Sequence, residues 1–305
     1  MASFERIRTA LCDGLLSFPV TDFAPDGRFD PVGYRKRIER FASHGVSAVF
    51  VAGGTGEFFS LAFDEYEEIV EIAVDAAAGR VPVIASAGRS VADAERYVAA
   101  AQAAGVDGIL LMPPYLTGCP SDGLVQYASA VMKATDLPVI YYNRANGILR
   151  ASDLQVLADE ASNFVGLKDG VGDIAMLNDT IKTLGDRLAY IGGVPTAEMF
   201  AEAYLAIGVN TYSSAVFNFV PDLALRFYAA LRAGDTTHVQ DTIRRFFVPF
   251  CRLRDRKPGY AVSLIKAGAT LQGASAGDVR PPLVMPTAAE VAELREIIES
   301  VAGDA

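Results

Sequence analysis

The segment Phe164-Val165-Gly166-Leu167-Lys168-Asp169-Gly170 ends an apolar run at a lysine, just before a turn-forming Asp-Gly. That order predicts a buried strand whose last residue carries an amine into a pocket. Lost hydration disfavours the ammonium and lowers its pKa. An amine that is neutral near physiological pH attacks a ketone and forms a Schiff base. The other lysines, Lys36, Lys133, Lys182, Lys257 and Lys266, fall in helix-like windows or a basic run. The competing reading has Lys168 capping its strand with the head in water, because long cationic side chains snorkel. Spacing alone leaves both readings open.

Three further strand ends carry polar groups. In Ile140-Tyr141-Tyr142-Asn143-Arg144 the tyrosines alternate faces, so one points inward and the other outward. A phenol beside an iminium shuttles protons, although aromatics on strands more often serve packing. Arg144 and Asn146, in the following loop, are candidates to hold a carboxylate. The turn Gly53-Gly54-Thr55-Gly56-Glu57 offers glycine freedom and successive amides suited to an anion, which makes Gly54 and Thr55 candidate binding residues. Ser213 and Ser214 close the last strand and either bind a substrate oxygen or satisfy local backbone groups.

The absences also narrow the chemistry. Only His44 and His238 occur, too few for a histidine-rich metal site or a Ser-His-Asp triad. The sequence contains neither a phosphate-binding Gly-x-x-x-x-Gly-Lys-Ser/Thr loop nor a dinucleotide fingerprint. Neither a metal nor a cofactor is expected. Cys12, Cys119 and Cys251 are widely spaced and suggest no disulfide framework.

Strands that would position these residues are expected at 14–20, 47–52, 83–87, 108–112, 139–143, 164–168, 189–193 and 211–214. Helical windows at 64–78, 91–104, 124–133, 175–184 and 197–207 alternate with them. Eight such units predict a closed (β/α)8 TIM barrel, with reacting groups at the C-terminal ends of the strands. His44-Gly45, Ala104-Gly105 and Ile207-Gly208 read as helices stopped by glycine. Past Gly234 the strand signal ends, and 235–253, 260–271 and 288–301 read as three helices. Residues 1–233 are therefore expected to form the barrel, and residues 234–305 a small C-terminal helical domain. The Arg252–Lys257 stretch is expected to be a solvated or inter-helix charge cluster.

A hydrophobic content of 51% supplies a sizeable core, and a net charge of −10 with a pI near 4.8 leaves no basic footprint for nucleic acid. No apolar run has the length of a membrane span, and acidic residues interrupt any leader-like start. The expected location is cytoplasmic.

Four pieces in this order resemble the dihydrodipicolinate synthase / N-acetylneuraminate lyase superfamily of Schiff-base barrels: Gly53-Gly54-Thr55-Gly56-Glu57, Pro138-Val139-Ile140-Tyr141-Tyr142-Asn143, Gly166-Leu167-Lys168-Asp169-Gly170 and the helical tail. The resemblance matches Lys168 to the Schiff-base lysine, Tyr142 to the catalytic tyrosine and Gly54-Thr55 to the turn that binds the keto-acid carboxylate. It also implies a homotetramer. Departures exist. Gly54 stands where synthases carry the first of two threonines. Pro113-Pro114-Tyr115-Leu116 lacks their second tyrosine, and Arg144-Ala145-Asn146-Gly147 replaces a proline-bearing loop. Phe18-Pro19-Val20-Thr21-Asp22-Phe23 and Tyr212-Ser213-Ser214-Ala215-Val216-Phe217-Asn218-Phe219 look most like the branch that dehydrates and decarboxylates a keto diacid. That branch takes 5-dehydro-4-deoxy-D-glucarate to 2,5-dioxopentanoate. The alternatives are a pyruvate-dependent aldolase or synthase, a non-catalytic keto-acid-binding barrel in which Lys168 is only an ionic anchor, and a metal-dependent lyase.

Overall fold

The computed structural model describes residues 2–116 and 118–301. Eight parallel strands close a barrel in chain order: β1 (Leu16–Ser17), β2 (Ala48–Val51), β3 (Val83–Arg89), β4 (Gly108–Pro114), β5 (Val139–Asn143), β6 (Phe164–Asp169), β7 (Ala189–Gly192) and β8 (Thr211–Ser214). Helix α1 (Ala2–Cys12) precedes the barrel. Around it run α2 (Pro31–Ser43), α3 (Phe63–Ala77), α4 (Val91–Ala104), α5 (Ser121–Lys133), α6 (Ala151–Glu160), α7 (Ile174–Leu184), α8 (Ala201–Ala206) and α9 (Pro221–Ala233). The expected (β/α)8 architecture is present.

Local chemistry sets the helix ends. Asp30 caps α2 by accepting from the Val32 and Gly33 amides, with Pro31 at the first turn. Ser90 caps α4 through the Asp93 amide. Gly45, Gly105 and Gly208 all take positive φ where the sequence predicts helix stops. Expectation and structure part at the first strand. The window 14–20 yields only two paired residues, because Pro19 has no amide to donate to a ladder. Residues 18–20 are instead held by the Asn218 side chain, which accepts from the Val20 amide and donates to the Phe18 carbonyl, each at 3.0 Å.

Two apolar layers result. Outside the barrel, helices pack on the outward strand residues. Inside, Leu16, Phe50, Ile84, Leu110, Ile140 and Ile191 fill the cylinder. Helix α1, which the sequence reading did not anticipate, seals the floor with Ile7 and Leu11, both fully buried.

After Gly234 come α10 (Thr236–Thr242), a π-helical turn at Ile243–Phe247, α11 (Val248–Arg254), α12 (Tyr260–Leu271) and α13 (Ala288–Glu299). The single helix expected at 235–253 is thus interrupted. Pro249 cannot donate to the preceding turn and its ring crowds that turn's carbonyl, so the ladder widens there. Phe219, Phe246 and Phe250 form an aromatic cluster under these helices. A Cβ on Gly268 would lie 2.7 Å from the Phe219 ring, so glycine permits the close approach of α12. Among the described residues, no helix is long and apolar enough to cross a membrane.

Candidate active site

Parallel pairing puts Tyr142 of β5 directly opposite Lys168 of β6, and both side chains face inward. The Lys168 ammonium nitrogen lies 3.8 Å from the Tyr142 ring centroid and 4.6 Å from that of Phe18. Phe18 stacks on Phe50 at 4.5 Å, so the floor beneath the amine is hydrocarbon. Tyr141 faces outward, and its hydroxyl donates to the Gly147 carbonyl at 2.7 Å. Alternation assigns the inward role to Tyr142.

Lys168 is only 4% exposed and Tyr142 only 3%. Burial drives the Lys168 pKa down, and the nearby Arg144 charge adds to the effect; Tyr142 and Asp169 oppose it without reversing it. For Tyr142, burial pushes the phenol up. The positive charges of Lys168 and Arg144 outweigh that push and leave it below its ordinary value. The phenol accepts from Arg144 Nη1 at 2.9 Å and donates to the Gly193 carbonyl at 3.0 Å. Each group therefore shifts towards the form a proton exchange needs: an amine more readily neutral and a phenol more acidic.

The lysine stem requires glycine beside it. A Cβ on Gly193 would sit 2.5 Å from Lys168 Cγ and 2.7 Å from the Asp169 carbonyl. Buried Asp169 accepts from the Val171 and Gly172 amides and from the Tyr204 hydroxyl, which fixes the turn after the lysine. Asn143 clamps the other loop by accepting from the Leu149 amide at 2.7 Å and donating to its carbonyl at 3.0 Å.

The mouth opens into a cavity of about 1210 Å³ reached by Lys168, Tyr142, Gly54, Thr55, Arg144, Asn146 and Ser213. In the turn 53–57, Glu57 and Phe58 return their amides to the Gly54 and Gly53 carbonyls. Among the described residues, the Gly54 and Thr55 amides have no acceptor. Two unspent donors beside an open cavity suit a carboxylate. The positive φ angles fall on Ala52 and Glu57 rather than on the glycines, which corrects the expected source of the turn's shape. Gly54 has open space where a Cβ would stand.

Asn146 donates to the Pro114 carbonyl at 2.8 Å. Among the described residues, Arg144 has no carboxylate partner, so its charge faces the cavity uncompensated. Ser214 is a correction. Its hydroxyl lies behind the strand, bonded to Glu198 Oε1 at 2.7 Å, and does not line the cavity. Neighbouring serines on one strand face opposite ways, so only Ser213 reaches the cavity. The Arg252–Lys257 stretch is the expected inter-helix charge cluster, with Arg256 paired to Glu293 and Lys257 to Glu290 of α13, but Arg254 departs from it. Arg254 lines the cavity and donates to the Pro195 carbonyl and the Thr196 hydroxyl while pairing with Asp255.

Residues 11–301 match the model of the dihydrodipicolinate synthetase family. The chain belongs to that family. A Rhodococcus opacus relative named probable 5-dehydro-4-deoxyglucarate dehydratase is 50% identical over 300 residues, covering 98% of this chain and 99% of that protein. One of the same name from Ralstonia nicotianae is 51% identical over 289 residues, covering 95% and 93%. Among solved structures, dihydrodipicolinate synthase from Bacillus clausii superposes with a TM-score of 0.89 at 27% identity, covering 96% of this chain and 99% of that one.

Against this family background, sequence reasoning missed Asp169, Gly193 and Glu57. Asp169 stood in the Lys-Asp-Gly phrase and read as turn chemistry alone. Gly193 acts by having no side chain, which no spacing rule detects.

Proposed function

We propose that this member of the dihydrodipicolinate synthetase family dehydrates and decarboxylates 5-dehydro-4-deoxy-D-glucarate to 2,5-dioxopentanoate through a Schiff base on Lys168. The observation that carries the reading is the dry, pKa-lowered amine of Lys168 set against the Tyr142 phenol, which Arg144 and Gly193 hold. The dehydratase names of relatives about 50% identical over nearly the whole chain supply the substrate.

The substrate's 2-keto-acid carboxylate rests on the Gly54 and Thr55 amides, which brings the ketone to Lys168. Neutral Nζ attacks the carbonyl carbon and expels water, forming an iminium. The iminium acidifies the adjacent methylene. Loss of that proton gives an enamine, which expels the β-hydroxyl as water and leaves a conjugated iminium. The distal carboxylate then departs as carbon dioxide, and its bonding electrons flow through the conjugated system to nitrogen. Two protonations and hydrolysis release the dioxo acid and restore the amine. Tyr142 moves protons between nitrogen, hydroxyl and carbon. Arg144, Asn146 and Ser213 orient the distal half of the diacid.

No metal or cofactor enters this scheme, and among the described residues no cluster of three metal-ligating side chains occurs. Turnover is expected to survive a chelator. We further assign the protein to the cytoplasm as a homotetramer. The three cysteines are free, and Tyr115 and Leu116 present apolar surface at the tip of β4, 73% and 78% exposed. Light scattering tests the assembly.

The deciding assay combines the purified protein with 5-dehydro-4-deoxy-D-glucarate. Carbon dioxide release and a borohydride-trapped adduct on Lys168 support the proposal. Pyruvate formation from another keto acid without gas release sinks it in favour of an aldolase.

A further inference from the structure

Glu57 and Lys266 lie outside the reacting centre, yet both are fully buried and paired at 2.9 Å. They join distant parts of the chain. Glu57 ends the turn that carries Gly54 and Thr55, and its backbone is left-handed, with φ 58°. Lys266 belongs to α12 and also donates to the Asp278 carbonyl at 3.0 Å. The second Glu57 oxygen accepts from the Arg280 amide at 2.9 Å. The turn is gripped once more at Gly56, whose carbonyl accepts from the buried Thr21 hydroxyl at 2.7 Å. Next to Thr21, Asp22 holds Arg37 through two buried hydrogen bonds, and Arg37 donates to the Ala274 and Ser275 carbonyls. Three segments thus converge behind the turn, while Val262 and Ile265 of α12 line the cavity in front.

A buried ion pair adds little net stability, because desolvating both ions offsets their attraction. The hydrogen bonds that each partner makes with the backbone, Lys266 to the Asp278 carbonyl and the Arg280 amide to Glu57, still fix where each one sits. A non-glycine residue at positive φ needs such fixing, since the conformation costs about 1–3 kcal/mol unless its surroundings impose it. The amides of Gly54 and Thr55 lie three and two residues from that fixed point.

We propose that Glu57 and Lys266 are a positioning pair, through which the C-terminal helices set how tightly the Gly54–Thr55 amides hold the keto-acid carboxylate. The inference rests on the proposed keto-acid site and deepens it. The carboxylate contact is the same in the bound substrate and in the later transition states, so disturbing it weakens binding uniformly. It raises KM and leaves kcat nearly unchanged.

The test uses the Glu57→Gln/Lys266→Met double variant, which removes both charges together, and Lys266→Arg, which keeps the charge and displaces it. Circular dichroism melting reports the fold. Carbon dioxide release from 5-dehydro-4-deoxy-D-glucarate gives KM and kcat, and borohydride trapping at graded substrate gives half-saturation of the Lys168 adduct. The expected result for the double variant is a KM raised about tenfold or more, in line with the cost of small misplacements. Its kcat stays within about threefold, and trapping half-saturation moves in parallel. Lys266→Arg falls between it and the natural protein. A natural KM in the folded double variant overturns the proposal. If the double variant does not fold, Lys266→Arg decides, and an unchanged KM there overturns the proposal as well. Absence of any trapped adduct on the unsubstituted protein indicts the keto-acid reading instead.

Discussion

Proton traffic in this site is set by three side chains, with Lys168 and Arg144 each against Tyr142. Arg144 lowers both Lys168 and Tyr142, so removing its charge lets both rise. A Lys168 amine with a higher pKa stays protonated to higher pH. Arg144→Leu is therefore expected to move the acidic limb of the kcat/KM profile upward, and a pH series on purified variant checks the direction. Tyr142→Phe keeps the ring that faces the amine but removes the transferable proton. Turnover should fall by roughly 10²- to 10⁴-fold while the Lys168 adduct still forms slowly. Single-turnover trapping separates that outcome from a lost binding site. At this scale the sequence was partly legible. Lys168 and Tyr142 stood at strand ends, where apolar runs stop, and the pattern pointed to them. The two adjacent serines were not resolved, although the alternation that separates Tyr141 from Tyr142 also separates Ser213 from Ser214.

Elements place those side chains by pairing and by close approach. The β5–β6 register brings phenol and amine side by side, and the missing side chain at Gly193 leaves room for the lysine stem. Gly193→Ala puts a methyl 2.5 Å from Lys168 Cγ and against the Asp169 carbonyl, so the lysine must move. The variant is expected to fold and to lose at least about 10²-fold in turnover, because misplacement of the order of an ångström does that much. A crystal structure with kinetics checks it. The barrel itself was legible because eight apolar runs alternate with helical periods. Helix α1 was not, since Ile7, Ala10 and Leu11 give a single apolar triad in a polar segment. Its contribution is nonetheless large. Two fully buried aliphatic side chains are worth about 3–6 kcal/mol together, against a typical total of 5–15 kcal/mol. Removal of residues 1–12 should cost a large share of stability, measurable by denaturant unfolding.

Across the whole molecule, the helices after Gly234 close over the barrel mouth and bury ionisable groups at the junction. Glu198 is one. Burial pushes its carboxyl up to about 7, against the opposing Ser214 hydrogen bond and the Arg254 charge. The folded state keeps a proton that the unfolded chain releases near 4.5. The associated stability is full below that value and is lost as pH rises through about 7. Glu198→Gln abolishes the titration, so it should stabilise the protein by roughly 3 kcal/mol at pH 8 and by less than about 1 kcal/mol near pH 5. Urea unfolding at both pH values reads the difference. None of this was legible in the sequence, because Ser214 of the next strand and Arg254 of α11 meet Glu198 only once the chain has folded. The same separation hid the Glu57–Lys266 pair, whose members are individually ordinary.

The cavity of about 1210 Å³ has one last consequence. Six-carbon diacids occupy only a fraction of such a volume, so walls do not measure chain length here. Discrimination has to come from where charges lie relative to the reactive carbonyl. Longer homologues should dock and condense with the amine, then stall because the terminal acid group overshoots its mark. Such stalled conjugates would make this scaffold a permissive starting point for evolving new keto-acid lyases.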